Sequence, residues 1–133
     1  EEGMLRQSER VHNLQRVLNV KMGVWGKEKD QPPYRAMGPV TEEEYLYRKD
    51  FYDAMIKNEM DKIPETMKLP EKMAAVREHK QNAYSQLQQM IYKKRGWNED
   101  GIPTVKKLHE LGIDDKSVIE TVEKALAESS MRQ

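Results

Sequence analysis

Tyr92-Lys93-Lys94-Arg95-Gly96-Trp97-Asn98-Glu99-Asp100-Gly101-Ile102-Pro103-Thr104, with Leu108 and Leu111-Gly112-Ile113 after it, puts a helix stop, a fixed turn and a new helix start into one short stretch. Gly96 occupies the left-handed C′ position that ends a helix, and Trp97 at C″ is placed to fold back onto Tyr92 at C3, the apolar contact of a Schellman cap. Lys93, Lys94 and Arg95 fall in the last turn, where the helix dipole favours cations. Thr104 is the N-cap of the next helix and Gly112 its stop. The chemistry is that of a rigid corner, not of a reactive centre.

Working outward, helical spacing continues on both sides. Met4, Val11, Leu14, Leu18 and Met22 recur at helical intervals, so a helix is predicted from about Met4 to Met22 with this stripe inward and Gly23 as its stop. Residues 24–40 contain Pro32-Pro33, which fix extended geometry and remove backbone donors, so an irregular but ordered connection is expected there. Thr41-Glu42-Glu43-Glu44 is a capping box that opens a second helix to about Asn58. A third runs from Pro70 to Arg95 with Met73, Val76, Ala83, Tyr84, Leu87, Met90 and Ile91 inward. A short fourth follows Thr104. The fifth starts at Asp114 or Asp115 and carries Val118, Ile119, Val122 and Leu126, with fraying expected after Ala127. No segment alternates with period two, which predicts an all-α, multihelical single domain of about five helices over residues 1–133.

Composition narrows the function. Apolar residues make up 37% and charged residues 35%, against about 25% charged in an ordinary domain, so wide polar faces and a narrow core are expected, as in a helical piece leaning on a larger body. Basic and acidic residues balance at 23 each, so no net field draws the chain to nucleic acid or to an anionic membrane. No apolar run approaches the roughly 20 residues that span a bilayer, and the expectation is a cytoplasmic protein. Cysteine is absent, which removes thiol nucleophiles and thiolate ligands for zinc or iron–sulfur clusters.

Reactive constellations are equally lacking. His12, His79 and His109 form no H-E-x-x-H pattern, and the Glu42–Glu44 run is accounted for by a helix N-terminus. Gly23-Val24-Trp25-Gly26 follows a helix instead of preceding one, the wrong end of the dipole for a phosphate. Most of the methionines are read as core filling, including Met4, Met22, Met55, Met73 and Met90. Trp97 is explained by the cap, whereas Trp25 lacks a local partner and is assigned as an anchor against another domain.

Two motifs in the same order carry a family likeness. The run G-W-N-E-D-G-I-P-T, then Leu108 and L-G-I, resembles the C-terminal segment of the tungsten-containing aldehyde:ferredoxin oxidoreductase family. Ser8 to Gly23 is similar to that family's G-E-R-x-x-N-L-x-R-x-F-N-x-R-x-G helix, keeping Glu9, Arg10, Asn13, Leu14, Arg16, Asn19 and Gly23. Lys27 to Arg35 echoes R-K-D-D-x-L-P-x-R through Asp30, Pro33 and Arg35, while Ser8, Leu18, Lys29 and Pro32 depart from the family residues.

The resemblance implies a tungsten bis-pterin cofactor and a [4Fe–4S] cluster in a parent enzyme that oxidises aldehydes, or in one branch reduces aromatic acyl thioesters, exchanging electrons with a ferredoxin-like carrier. The family's pterin-binding D-x-x-G-L stretches and cluster cysteines have no counterpart here, so no catalytic, cofactor-binding or metal residue is carried over. The expectation is the C-terminal structural domain of such an oxidoreductase, inactive alone and partnered by the enzyme's remaining domains. Glu9, Arg10, Asn13, Arg16, Asn19, Trp25, Asp30 and Arg35 are its expected domain-interface residues. The alternative is a free-standing helical interaction module or small subunit descended from that domain.

Overall fold

The computed structural model describes residues 2–132. In chain order they form α1 (Glu2–Lys21), a 3-10 turn (Tyr34–Met37), α2 (Glu42–Tyr47), α3 (Lys49–Glu59), a second 3-10 turn (Pro64–Thr66), α4 (Leu69–Arg95), α5 (Val105–Glu110) and α6 (Lys116–Met131). Helix accounts for 71% of the chain, with no strand among the described residues. The all-α expectation holds, including the irregular connection after α1. Pro32–Leu87 makes one compact unit, and the sequence on either side of it makes the other, so the division falls inside α4.

In the flanking unit, α1, α5 and α6 surround a core of Val17, Val20, Trp25, Ile102, Leu108, Leu111, Ile113, Val122 and Ala125. The cap at the end of α4 forms as its residues dictate: Trp97 N–H donates to the Tyr92 carbonyl at 2.9 Å and Gly96 N–H to that of Lys93 at 3.1 Å. Gly96 has φ +72°, a value that costs a residue with a Cβ about 1–2 kcal/mol. Thr104 and Asp115 cap α5 and α6, accepting backbone bonds from Lys107 and from Ser117 and Val118 respectively.

The inserted unit has its own small core of Tyr45, Tyr52, Ile56 and Val76, with Met55, Met60, Met67, Leu69 and Met73 against it. Thr41 Oγ1 accepts from Glu44 N–H at 3.2 Å as expected, while the Glu44 carboxylate reaches back to Val40 N–H at 2.8 Å. The one helix expected over residues 42–58 is two. Arg48 breaks it with φ −121° and ψ 33°. Tyr45 and Tyr52 stack at 5.1 Å between centroids because of that break; two turns of straight helix would hold them about 10 Å apart.

Three further expectations are corrected. Met4, Val11, Leu14, Leu18 and Met22 are exposed, and α1 instead buries Asn13, Arg16, Val17 and Val20. The reason is polar: α1 lies against backbone carbonyls and a carboxylate that need donors, and its Asn and Arg side chains supply them. In α4, Ala83, Leu87, Met90 and Ile91 are exposed, because Gln88 and Tyr92 turn inward to bond the connection after α1. Met4, Met22 and Met90 are therefore not core filling, whereas Met55 and Met73 are. Finally, the chain does not fray after Ala127: α6 continues to Met131, with Ser129 buried.

Asp53 ties the inserted unit together. It accepts from Tyr45 Oη at 2.6 Å and Lys72 Nζ at 2.9 Å and pairs with Lys49 at 3.0 Å. Burial alone would raise its pKa, but these hydrogen bonds and the Lys72 charge outweigh burial and bring it from 3.8 to about 2. The folded value lies below the unfolded one, so the contribution is complete above 3.8 and is lost as pH falls through about 2. Asp53→Asn is expected to cost on the order of 1–3 kcal/mol at neutral pH. The penalty should shrink on acidification; urea denaturation curves at neutral and acid pH check it, and an equal penalty at both would contradict the assignment.

Candidate functional site

Arg16 is the centre of the most densely bonded polar site. It projects from the inward face of α1 and is 8% exposed. Its Nε donates to the Gly101 carbonyl at 2.6 Å, and Nη1 and Nη2 donate to the two Asp30 oxygens at 2.9 and 2.5 Å. Every edge of the guanidinium fork is engaged, a geometry that a lysine cannot reproduce. Its plane lies near the Tyr92 and Trp97 rings, with centroids at 5.8 and 5.1 Å.

Asp30 is also bonded by the Tyr92 hydroxyl. Burial would raise the Asp30 pKa, but hydrogen bonds from Arg16 and Tyr92, with the Arg16 charge, hold it below the ordinary aspartate value. Burial of Tyr92, and then the same carboxylate, push the phenol well above its usual range. Asp30 therefore stays ionised and Tyr92 protonated across the physiological range, which suits a fixed brace and not a proton-transfer pair.

The corner is clamped from all sides of this unit. Trp97 Nε1 donates to Asn13 Oδ1 at 2.9 Å, and Asn13 Nδ2 donates to the Glu9 carbonyl at 2.9 Å. Asn98 Oδ1 accepts from the backbone of Asp100 and Ile102, closing the turn. Ser129 on α6 donates to Asp100 Oδ2 at 2.6 Å and accepts from Asn98 Nδ2 at 3.1 Å, which is what pins the end of α6. At Gly101, with φ +73°, a Cβ would sit 2.7 Å from Tyr92 Cζ, so only glycine lets the Arg16 and Tyr92 side chains close on the turn. Farther along α1, Arg6 and Arg10 donate to the Glu110 and Leu111 carbonyls at 3.1 and 2.8 Å, capping the C-terminus of α5.

The residues singled out from the sequence are placed as follows. Glu9, Arg10, Asn13 and Arg16 bond within the flanking unit, Glu9 through its carbonyl and a 3.4 Å approach to Lys107, and Asp30 receives Arg16 and Tyr92 there. The Asn19 carbonyl accepts from Val24 at 2.8 Å in the cap of α1. Trp25 is buried in the same core, beneath the Arg132 guanidinium at 4.3 Å. Arg35 belongs to the inserted unit, exposed and paired with Glu44 at 2.5 Å. Sequence reasoning missed the Tyr92 hydroxyl, the Gly101 carbonyl, Asn98 and Ser129. Asn98 preceding Asp100-Gly101 was a usable signal, since asparagine closes turns onto its own backbone; Ser129 carried none.

No group of three or more His, Asp or Glu side chains suited to a metal occurs among the described residues. His79 pairs with Glu59, and His109 with Asp114. A shallow cavity in the inserted unit is lined by Arg35, Arg48 and Lys80, but Arg35 is held by Glu44 and Arg48 lies 4.6 Å over the Phe51 ring. No described helix is long and apolar enough to cross a membrane.

A family model described as aldehyde ferredoxin oxidoreductase, domains 2 and 3, matches residues 1–113. No significant match was found among curated proteins or among solved structures. The matched span includes the Arg16 clamp and the Gly101 corner and stops before α6.

Replacing Arg16 removes the side-chain donor to the Gly101 carbonyl and the paired charge of Asp30. Arg16→Ala is expected to destabilise the protein by about 3–5 kcal/mol, the range for breaking one side of a buried pair. Arg16→Lys should recover only part of that, because one ammonium cannot serve both the carboxylate and the carbonyl. Thermal unfolding of the purified variants checks this. A lysine variant as stable as the original would contradict the fork geometry.

Proposed function

The chain belongs to the aldehyde ferredoxin oxidoreductase family, and from that membership we propose that it is the C-terminal structural domain of an oxidoreductase that interconverts aldehydes and carboxylates. The parent enzyme passes electrons to or from a ferredoxin-like carrier in the cytoplasm. Its tungsten bis-pterin and [4Fe–4S] groups are held by polypeptide other than these residues. Supporting this, the donor set does not fit either group: the chain has no cysteine, and its buried polar side chains are spent on one another.

One observation carries the structural role. The side chains that the family helix shares with α1, Asn13 and Arg16 above all, fix a helix-to-helix corner and are committed to the hydrogen bonds that hold it. Such a domain supplies rigidity to a cofactor-bearing body, because a bidentate buried arginine and a glycine turn hold geometry more tightly than a loop does. Its own residues bind, orient and brace; the redox chemistry belongs to the cofactors when bound elsewhere in the enzyme.

The complete enzyme is expected to reduce a viologen dye with an aldehyde as electron donor, while the 133-residue chain shows no turnover and retains no metal after purification. Dye reduction by the isolated chain would overturn the proposal, as would stoichiometric tungsten or iron bound to it. A complete protein with no aldehyde-dependent dye reduction would favour the interaction-module alternative.

A further inference from the structure

We propose that the outward face of α1, formed by Met4, Val11, Leu14 and Leu18 with Met22 just beyond it, docks onto an apolar surface of the remaining domains of the parent oxidoreductase. The inference rests on the family reading above and adds where the contact lies. Ordinary surface helices put their apolar stripe inward and their charges outward. In α1 the polarity is reversed. Asn13 and Arg16 point into the flanking unit and are fully engaged there, while Met4, Val11, Leu14, Leu18 and Met22 are 76, 53, 38, 59 and 69% exposed.

Single exposed hydrophobic residues are normal, but these share one face at heptad-like spacing of seven, three and four. Together they present a strip on the order of several hundred Å², the size that marks an interaction surface. Gln7 completes the face and Ser8 and Gln15 border one edge, so a partner meets a single exposed charge at the margin, Lys21 in the last turn. That is the composition of the core of a permanent interface, from which charged residues are depleted.

The occupant follows from what the edges of the strip lack. Self-pairing of helices takes its register from complementary charges beside the apolar seam. Here one edge has the neutral Ser8 and Gln15. On the other, Arg10 is bound to the Leu111 carbonyl at 2.8 Å and Val17 is buried. Lys21, exposed in the last turn, has no acidic residue on either edge of the strip to meet, so no complementary pair aligns a second copy. A lipid surface would call for several lysines and arginines facing it, yet Arg6, Arg10 and Arg16 all bond inward and leave Lys21 alone beside the strip. By contrast, a family model described as domains 2 and 3 implies a further domain, and that polypeptide is the partner that a strip so poor in charge suits.

The test places a photo-crosslinking benzoylphenylalanine at Leu14 in the complete oxidoreductase, with peptide mapping by mass spectrometry. Crosslinks to oxidoreductase sequence outside these residues are expected. The pair Leu14→Glu and Leu18→Glu should lower the yield of assembled enzyme severalfold while leaving the thermal midpoint of the 133-residue chain unchanged. Crosslinks to α1 of a second copy, crosslinks to lipid, or full assembly of the Glu variant would overturn the docking proposal even if aldehyde turnover is intact. Conversely, crosslinks to the remaining polypeptide without aldehyde turnover would sink the functional reading and leave the docking face standing.

Discussion

A buried guanidinium has to satisfy its donors, and that requirement organises the flanking unit. Arg16 meets it by taking both oxygens of Asp30 and the Gly101 carbonyl at once. Three segments are thereby fixed to one another: α1, the connection that follows it and, 85 residues on, the turn after α4. Tyr92 and Gln88 reinforce the same meeting point through Asp30 and the Lys27 carbonyl. Buried ion pairs contribute little net stability on average, but they are demanding about geometry. Here that demand is met by a glycine turn, a Schellman cap and two aromatic walls.

The polarity of α1 is the consequence. A helix whose Arg and Asn side chains are drawn inward must turn its apolar residues elsewhere, and Leu14 and Leu18 end on the opposite side. Stability of this unit then comes from the remaining apolar set, in which α6 contributes Val122 and Ala125 and the α5 corner contributes Leu108, Leu111 and Ile113. α6 lies past the segment that the family model matches, yet it closes the core and holds Asp100 through Ser129. The inserted unit solves the same problem separately, with stacked tyrosines and Asp53 at its centre.

Local chemistry was legible in the sequence wherever one residue type decides a backbone state. Gly96 with Trp97, Thr41 with Glu44, and Asp115 each predict a helix end that the structure contains. The all-α class followed from periodicity in the same way. Direction was less legible. The spacing of Met4, Val11, Leu14 and Leu18 identifies a face but cannot say whether it turns toward this fold or toward other polypeptide, and the stripe was assigned inward on the usual premise. Arg16 could be marked as a bridging residue from its fork and its family position, whereas its partner Gly101 accepts through a backbone carbonyl, which every residue has. Ser129 and the break at Arg48 depend on tertiary contacts and left no local trace.

Amide hydrogen exchange on the 133-residue protein reads out whether Arg16 locks α1 and the Gly101 corner into one cooperative element. If it does, amides around Val17 and Val20 and those of Trp97 and Ile102 exchange with a common opening free energy, and Arg16→Ala lowers protection in both places together. Protection at the corner that persists in that variant while α1 alone opens would contradict it.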